Sequence, residues 1–88
     1  MKIKAIIIDD EKMARSLLKG MLEEYCNDVE VLETCIDLPS GVKAIRKLKP
    51  NLVFLDIEMP RYSGLELLDF FEDTEINFSI IFTTAYNQ

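Results

Sequence analysis

Apolar positions along this chain fall into four short runs separated by longer stretches with helical spacing. Ala5-Ile6-Ile7-Ile8 dominates the first run and predicts a strand over residues 3–8, buried on both faces. From Glu11 to Cys26 the pattern changes. Met13, Leu17, Leu18, Met21, Leu22 and Tyr25 recur at helical spacing with charges between them, as in an amphipathic helix. Asp10 is placed to cap that helix, and Asp9 and Glu11 suit the positive end of its dipole. Residues 29–34, VEVLET, alternate like a strand at a sheet edge. Pro39-Ser40-Gly41 then opens a second helix, with Val42, Ile45 and Leu48 on one face, that stops before Pro50. NLVFL, residues 51–55, predicts a third strand. After a loop punctuated by Pro60 and Gly64, a third helix covers roughly Gly64 to Glu72, apolar at Leu65, Leu67, Leu68 and Phe71. FSIIFTT, residues 78–84, predicts a fourth strand.

Strands alternating with helices imply right-handed parallel βαβ units, hence an α/β fold with an open parallel sheet and helices on both faces. In such sheets ligands bind beyond the carboxyl ends of the strands, where the strand order reverses. With strands one and three adjacent at that reversal, Asp10 and Asp56 end side by side. The 88 residues (1–88) read as one small domain, and a 49% hydrophobic content supplies its core. A net charge of −6 argues against nucleic-acid binding by this segment. Cys26 and Cys35 have no histidine to complete a metal site and sit beside apolar residues, as small buried hydrophobes do. Two isolated thiols fit a reduced, cytoplasmic setting. MKIKAIII is too short and too soon acidic for a signal peptide, and no stretch of the sequence could span a bilayer.

The chemistry lies in the acids. Asp9 and Asp10 follow one apolar strand and Asp56 follows another. Singly, each suits a helix cap or a turn. Gathered in one pocket, three carboxylates repel one another and raise each other's pKa unless a cation compensates. Mg2+ takes one or two carboxylates and completes its shell with water or phosphate oxygens. Asp56 is then the better nucleophile, because the loop with Met59, Pro60 and Gly64 leaves it open and carboxylates are known to form aspartyl phosphates. Thr83 or Thr84 is placed to donate a hydrogen bond to a phosphoryl oxygen, although threonine also simply favours strands. Ala85 is small enough to leave room for an incoming phosphate.

The segments IIIDDE, LVFLDIEMPRYSGLELL and IIFTTAY resemble the receiver domain of two-component response regulators. DIEMP…SG-x-EL with TTAY resembles, more narrowly, the subclass that carries a LytTR-type DNA-binding output domain. The resemblance implies a flavodoxin-like fold whose first four strands are ordered 2-1-3-4. It implies that Asp56 accepts a phosphoryl group from a phosphohistidine on a sensor histidine kinase. It also implies that Asp10 and Asp56 ligate Mg2+ directly, Asp9 helps through water and Glu58 offers its backbone carbonyl. Thr84, before Ala85, matches the switch hydroxyl of the family.

The family pattern continues with a fourth helix, a fifth strand, a phosphate-contacting lysine and a fifth helix. Gln88 falls before all of these, and Lys43, Lys47 and Lys49 are no substitute for the lysine. The expected origin is the N-terminal part of a longer regulator, with a naturally short gene as the alternative. In this form Mg2+ binding should survive more fully than phosphotransfer. The fourth strand would then be an apolar, uncharged edge, which predicts self-association or exchange of elements between chains. The resemblance implies a phosphoacceptor for signalling rather than an enzyme. Two other readings stay open. One is a Mg2+-dependent phosphohydrolase using Asp56-Ile57-Glu58, for which 88 residues leave no room for a substrate cap. The other is a structural dimerisation module with a vestigial site.

Overall fold

The computed structural model describes residues 1–83. The element order is β1 (Ile3–Ile8), α1 (Lys12–Tyr25), β2 (Val29–Cys35), α2 (Leu38–Leu48), β3 (Leu52–Leu55), two 3-10 helices (Gly64–Phe70 and Asp73–Glu75) and β4 (Ser79–Phe82). The four strands form one parallel sheet, as the alternating pattern predicts, in the order β2-β1-β3-β4 that the resemblance implies. Thr84 and Ala85, two of the residues singled out in the sequence, lie outside the described residues.

The two inner strands explain their own composition. Ile6, Ile8, Val53 and Leu55 face α2, where they meet Leu38, Val42, Ala44 and Ile45. Ala5, Ile7 and Phe54 face the other way and meet Leu22, with Leu18 beside it. A strand covered on both faces has no use for a polar residue, so the run Ala5–Ile8 is apolar throughout. Gly41 sets the distance on the α2 side, because a Cβ there would run into the Ile8 side chain.

Strand β2 departs from simple alternation. Its register against β1 runs Ile3 to Val29 and Ala5 to Val31, then shifts so that Ile6 pairs with Glu33 and Ile8 with Cys35. Leu32 is the extra residue, a bulge that changes which face the following side chains take. Val29 and Val31 therefore pack with the α1 cluster, while Cys35 joins the α2 cluster. Cys35 is buried, and burial together with neighbouring Glu33 pushes its thiol up to about 12. Cys26, expected inside, is exposed.

The helices differ from the sequence pattern in instructive ways. Of the six apolar residues of α1, only Leu22 is buried and only Leu18 among the others packs beside it in the core. Met13, Leu17, Met21 and Tyr25, spaced four apart, form a stripe left at least half exposed, so α1 meets the sheet along a narrower seam than its amphipathicity suggests. Its N-cap is Glu11 rather than Asp10, and no side chain caps it. The amide next to the strand end is taken by Asp9 instead, whose Oδ1 accepts from the Glu11 N–H at 2.9 Å. In α2 the cap is Asp37, whose Oδ1 accepts from the Ser40 N–H at 2.9 Å and the Ser40 hydroxyl at 2.6 Å. Those bonds hold the Asp37 carboxyl below its usual range. The helix ends at Lys49, in the left-handed region (φ 50°), directly before Pro50.

The third helix is a 3-10 helix that ends at Phe70, not an α-helix reaching Glu72. Ser63 and Glu66 close its start with a reciprocal capping box. Its period of three places Gly64, Leu67 and Phe70 on the inward side, which explains why Leu65 and Leu68 are exposed. Arg46 of α2 ties this segment down. Its Nη2 donates to the Phe70 carbonyl at 2.6 Å, its Nε lies 3.4 Å from Glu75 Oε2, and its guanidinium sits 5.2 Å from the centre of the Phe71 ring.

Candidate metal centre at the strand ends

Strands β1 and β3 are hydrogen-bonded neighbours with Ile8 opposite Leu55, and the Asp56 N–H donates to the Ile8 carbonyl at 3.0 Å. The chain therefore leaves both strands at the same level. Asp9, Asp10 and Asp56 each bring a carboxylate oxygen to within 4.8 Å of the others, although Asp10 and Asp56 are 46 positions apart in the sequence. Asp9 and Asp56 are buried, at 7% and 9% exposure, and Asp10 is open to solvent.

Asp56 is held from beneath. Its Oδ1 accepts from the Glu58 N–H at 3.2 Å, an Asx-type turn that turns the loop away from the strand. Burial raises the Asp56 carboxyl above its ordinary value, the Glu58 amide opposes this, and the charges of Asp9 and Asp10 add to the rise. Two buried carboxylates and a third beside them are a poor arrangement for an isolated protein and a good one for a hard divalent cation, which wants several oxygens at short range. The donor set fits such an ion.

Glu58 lies two residues on, exposed, with its N–H donating to Asp56 Oδ1. Thr83 continues the β4 ladder by donating its N–H to the Leu55 carbonyl at 3.0 Å. Two features were not drawn from the sequence. Gly64 is more than punctuation: it packs against the main chain of Asp56 so closely that a Cβ would overlap the Asp56 carbonyl oxygen. Arg15, passed over as one of the polar positions of α1, reaches back so that its Nη1 donates to the Asp9 carbonyl at 2.8 Å. The i to i+6 spacing of Asp9 and Arg15 gives no pattern by which to find that bond.

A cavity of about 600 Å³ lies at the opposite end of the strands, bordered by Arg46, Asn51, Phe71 and Phe78. Among the described residues no helix is long and apolar enough to cross a membrane.

Comparison with known proteins gives a consistent picture. The response regulator receiver domain family matches residues 5–88. The transcriptional regulatory protein BtsR of Escherichia coli is 42% identical over 86 residues, covering 98% of this chain and 35% of BtsR. An uncharacterized response regulatory protein of Vibrio cholerae is 43% identical with the same coverage. The chain thus spans about a third of the length of these relatives. Among solved structures, a DNA-binding response regulator of the LuxR family from Staphylococcus aureus superposes with a TM-score of 0.84 at 30% identity, covering 98% of this chain and 71% of that one. The response regulator domain of Thermotoga maritima CheB shares the fold, with a TM-score of 0.78 at 24% identity over 96% of this chain and 61% of that one. Parallel order β2-β1-β3-β4, acids at the ends of β1 and β3, and a family match over nearly the whole sequence lead to one conclusion: the chain belongs to the response regulator receiver domain family.

Proposed function

We propose that Asp56 is a phosphoacceptor, taking a phosphoryl group from the phosphohistidine of a sensor histidine kinase. The observation that carries this reading is the convergence of three carboxylates from two adjacent strand ends within 4.8 Å, with Asp56 buried and fixed by the Glu58 amide. An Asp56 oxygen forms the new bond to phosphorus as the phosphorus–nitrogen bond breaks and its electron pair leaves with the imidazole. Asp10 and Asp56, Asp9 through water and the Glu58 carbonyl would hold Mg2+, which supplies positive charge against the phosphoryl oxygens when bound. By the same reading the Thr84 hydroxyl would serve the transferred group and Ala85 would leave room for it; both lie outside the described residues.

In this reading the protein is a cytoplasmic signalling module, not an enzyme with turnover. Residues 1–88 are the receiver part of a regulator whose output is LytTR-type DNA binding. With Mg2+ and a small phosphodonor such as acetyl phosphate, the chain is expected to gain one hydroxylamine-sensitive phosphoryl group at Asp56, read by mass spectrometry. The gain should be absent in Asp56→Asn. Repeated release of inorganic phosphate over many turnovers would instead indicate a phosphohydrolase.

Self-association through β4 belongs to the same proposal. Ile81 and Phe82 are nearly half exposed on a strand with no further partner among the described residues, and such an edge is a template for pairing. Sedimentation at rising concentration should show dimers or larger species, reduced when Ile81→Lys places a charge on the edge. A monomer over the whole range would refute it.

A further inference from the structure

We propose that Arg15 is a positioning residue for the metal centre, setting the turn that carries Asp9 and Asp10. The inference rests on the Mg2+ reading above and concerns how the chain holds its own ligands.

Three polar atoms of Asp9 are tied to the surrounding fold. Its N–H donates to the Cys35 carbonyl at 3.0 Å, joining the end of β2. Its Oδ1 accepts from the Glu11 N–H, joining the start of α1. Its carbonyl accepts from Arg15 Nη1 at 2.8 Å, joining the first turn of that helix. The third bond matters most, because α1 has neither a side-chain cap nor an acid in its first turn to anchor its entry. Arg15 is half-buried, and its bond to the Asp9 carbonyl places its guanidinium just beyond the end of β1. Asp10 is exposed and is carried by the turn clamped on either side of it.

The choice of acceptor is informative. A cation beside three carboxylates would ordinarily pair with one of them. Among the described residues the one ion pair is Arg46 with Glu75, so Arg15 forms none with Asp9, Asp10 or Asp56. It spends its hydrogen bond on the backbone of Asp9 and leaves the carboxylates to the incoming ion. Arginine suits this task because its planar fork is pre-organised and always charged.

The sign of the effect separates this role from simple electrostatics. By Coulomb's law alone, removing a positive charge near the cluster strengthens cation binding. If Arg15 positions the turn, removing it weakens binding despite that gain. Groups that orient metal ligands typically contribute about 10-fold or more to affinity. Mg2+ titration of the parent chain, Arg15→Gln and Arg15→Lys, followed by amide chemical shifts, provides the test. The dissociation constant for Arg15→Gln is expected to rise about 10-fold, with shifts at Asp9, Asp10 and Glu11 already displaced before Mg2+ is added. Arg15→Lys, which keeps the charge and one donor, should fall between. Should Arg15→Gln fail to fold, the lysine variant alone decides, and parent-like affinity in it overturns the proposal. Binding by Arg15→Gln as tight as the parent, or tighter, overturns it too. A lowered melting temperature with an unchanged Mg2+ midpoint does the same, since a merely structural role would give that result. If the parent chain binds no Mg2+, the functional reading falls and this inference falls with it.

Discussion

Asp56→Asn is expected to be more stable than the parent chain in metal-free buffer at neutral pH, although it removes the proposed phosphoacceptor. Asp56 is buried beside two other acids, and its carboxyl is raised above the ordinary range, first by burial and then by Asp9 and Asp10, against the pull of the Glu58 amide. A raised value means that the folded protein holds this proton more tightly than the unfolded chain does. The stabilising contribution is therefore complete below the unfolded aspartate pKa, about 3.9. It is lost as pH climbs through the higher folded value. Above that window the parent bears a buried charge facing like charges, and asparagine relieves it by on the order of 1–3 kcal/mol. Denaturant titrations across pH should show the parent losing stability over this window while Asp56→Asn does not share that loss. Adding Mg2+ should reverse the ranking, because binding to the folded state alone adds stability by mass action and the variant has lost a ligand. A less stable Asp56→Asn in metal-free buffer at pH 7 would show that the Glu58 hydrogen bond outweighs the repulsion.

Gly64→Ala should be among the most damaging methyl additions in this chain. The added Cβ would overlap the carbonyl of Asp56 and press on Ile57 Cα, and neither is the free end of a flexible side chain. Overpacking of this kind costs about 1–3 kcal/mol, occasionally more, and here the upper part of that range applies because main chain must move. For a domain of this size that corresponds to a fall in melting temperature of more than about 10 °C. The displaced strand end should also weaken Mg2+ binding. Gly41→Ala makes the comparison, since its Cβ meets the tip of the Ile8 side chain, which has rotamers to explore. Thermal melts of the two variants should rank Gly64→Ala well below Gly41→Ala. Equal melting temperatures would mean that the loop after Asp56 yields more easily than its contacts suggest.

What the sequence could disclose follows from the range of each interaction. Strand positions and parallel pairing came from local periodicity and topological rules, whereas the order that makes β1 and β3 neighbours, and so gathers Asp9, Asp10 and Asp56, came from the family resemblance. The bulge at Leu32 was hidden, because VEVLET alternates well enough to pass for a regular strand while the register shifts beneath it. Amphipathicity marked Met13, Leu17, Met21 and Tyr25 as inward on α1, yet a periodic pattern fixes an angle around a helix and not the width of the seam it buries. The segment after Ser63 has strong helix formers, but its inward residues follow a period of three, which a pattern containing both Leu67 and Leu68 does not distinguish. Arg15 and Arg46 were illegible for a common reason: each donates to a main-chain carbonyl, and carbonyls carry no sequence signature.

The central place of β1 has a consequence for synthesis. Of the four strands this one is made first, yet it acquires a neighbour on either side only after β2 and then β3 have been made. During that interval Ala5–Ile8 is a nascent apolar segment of high β-propensity, the kind that seeks partners on other chains. Lys2 and Lys4 precede it and Asp9 and Asp10 follow it, so charge of opposite sign guards its two ends. The acids that later meet Asp56 thus have an earlier task, as gatekeepers for a strand still waiting for its sheet.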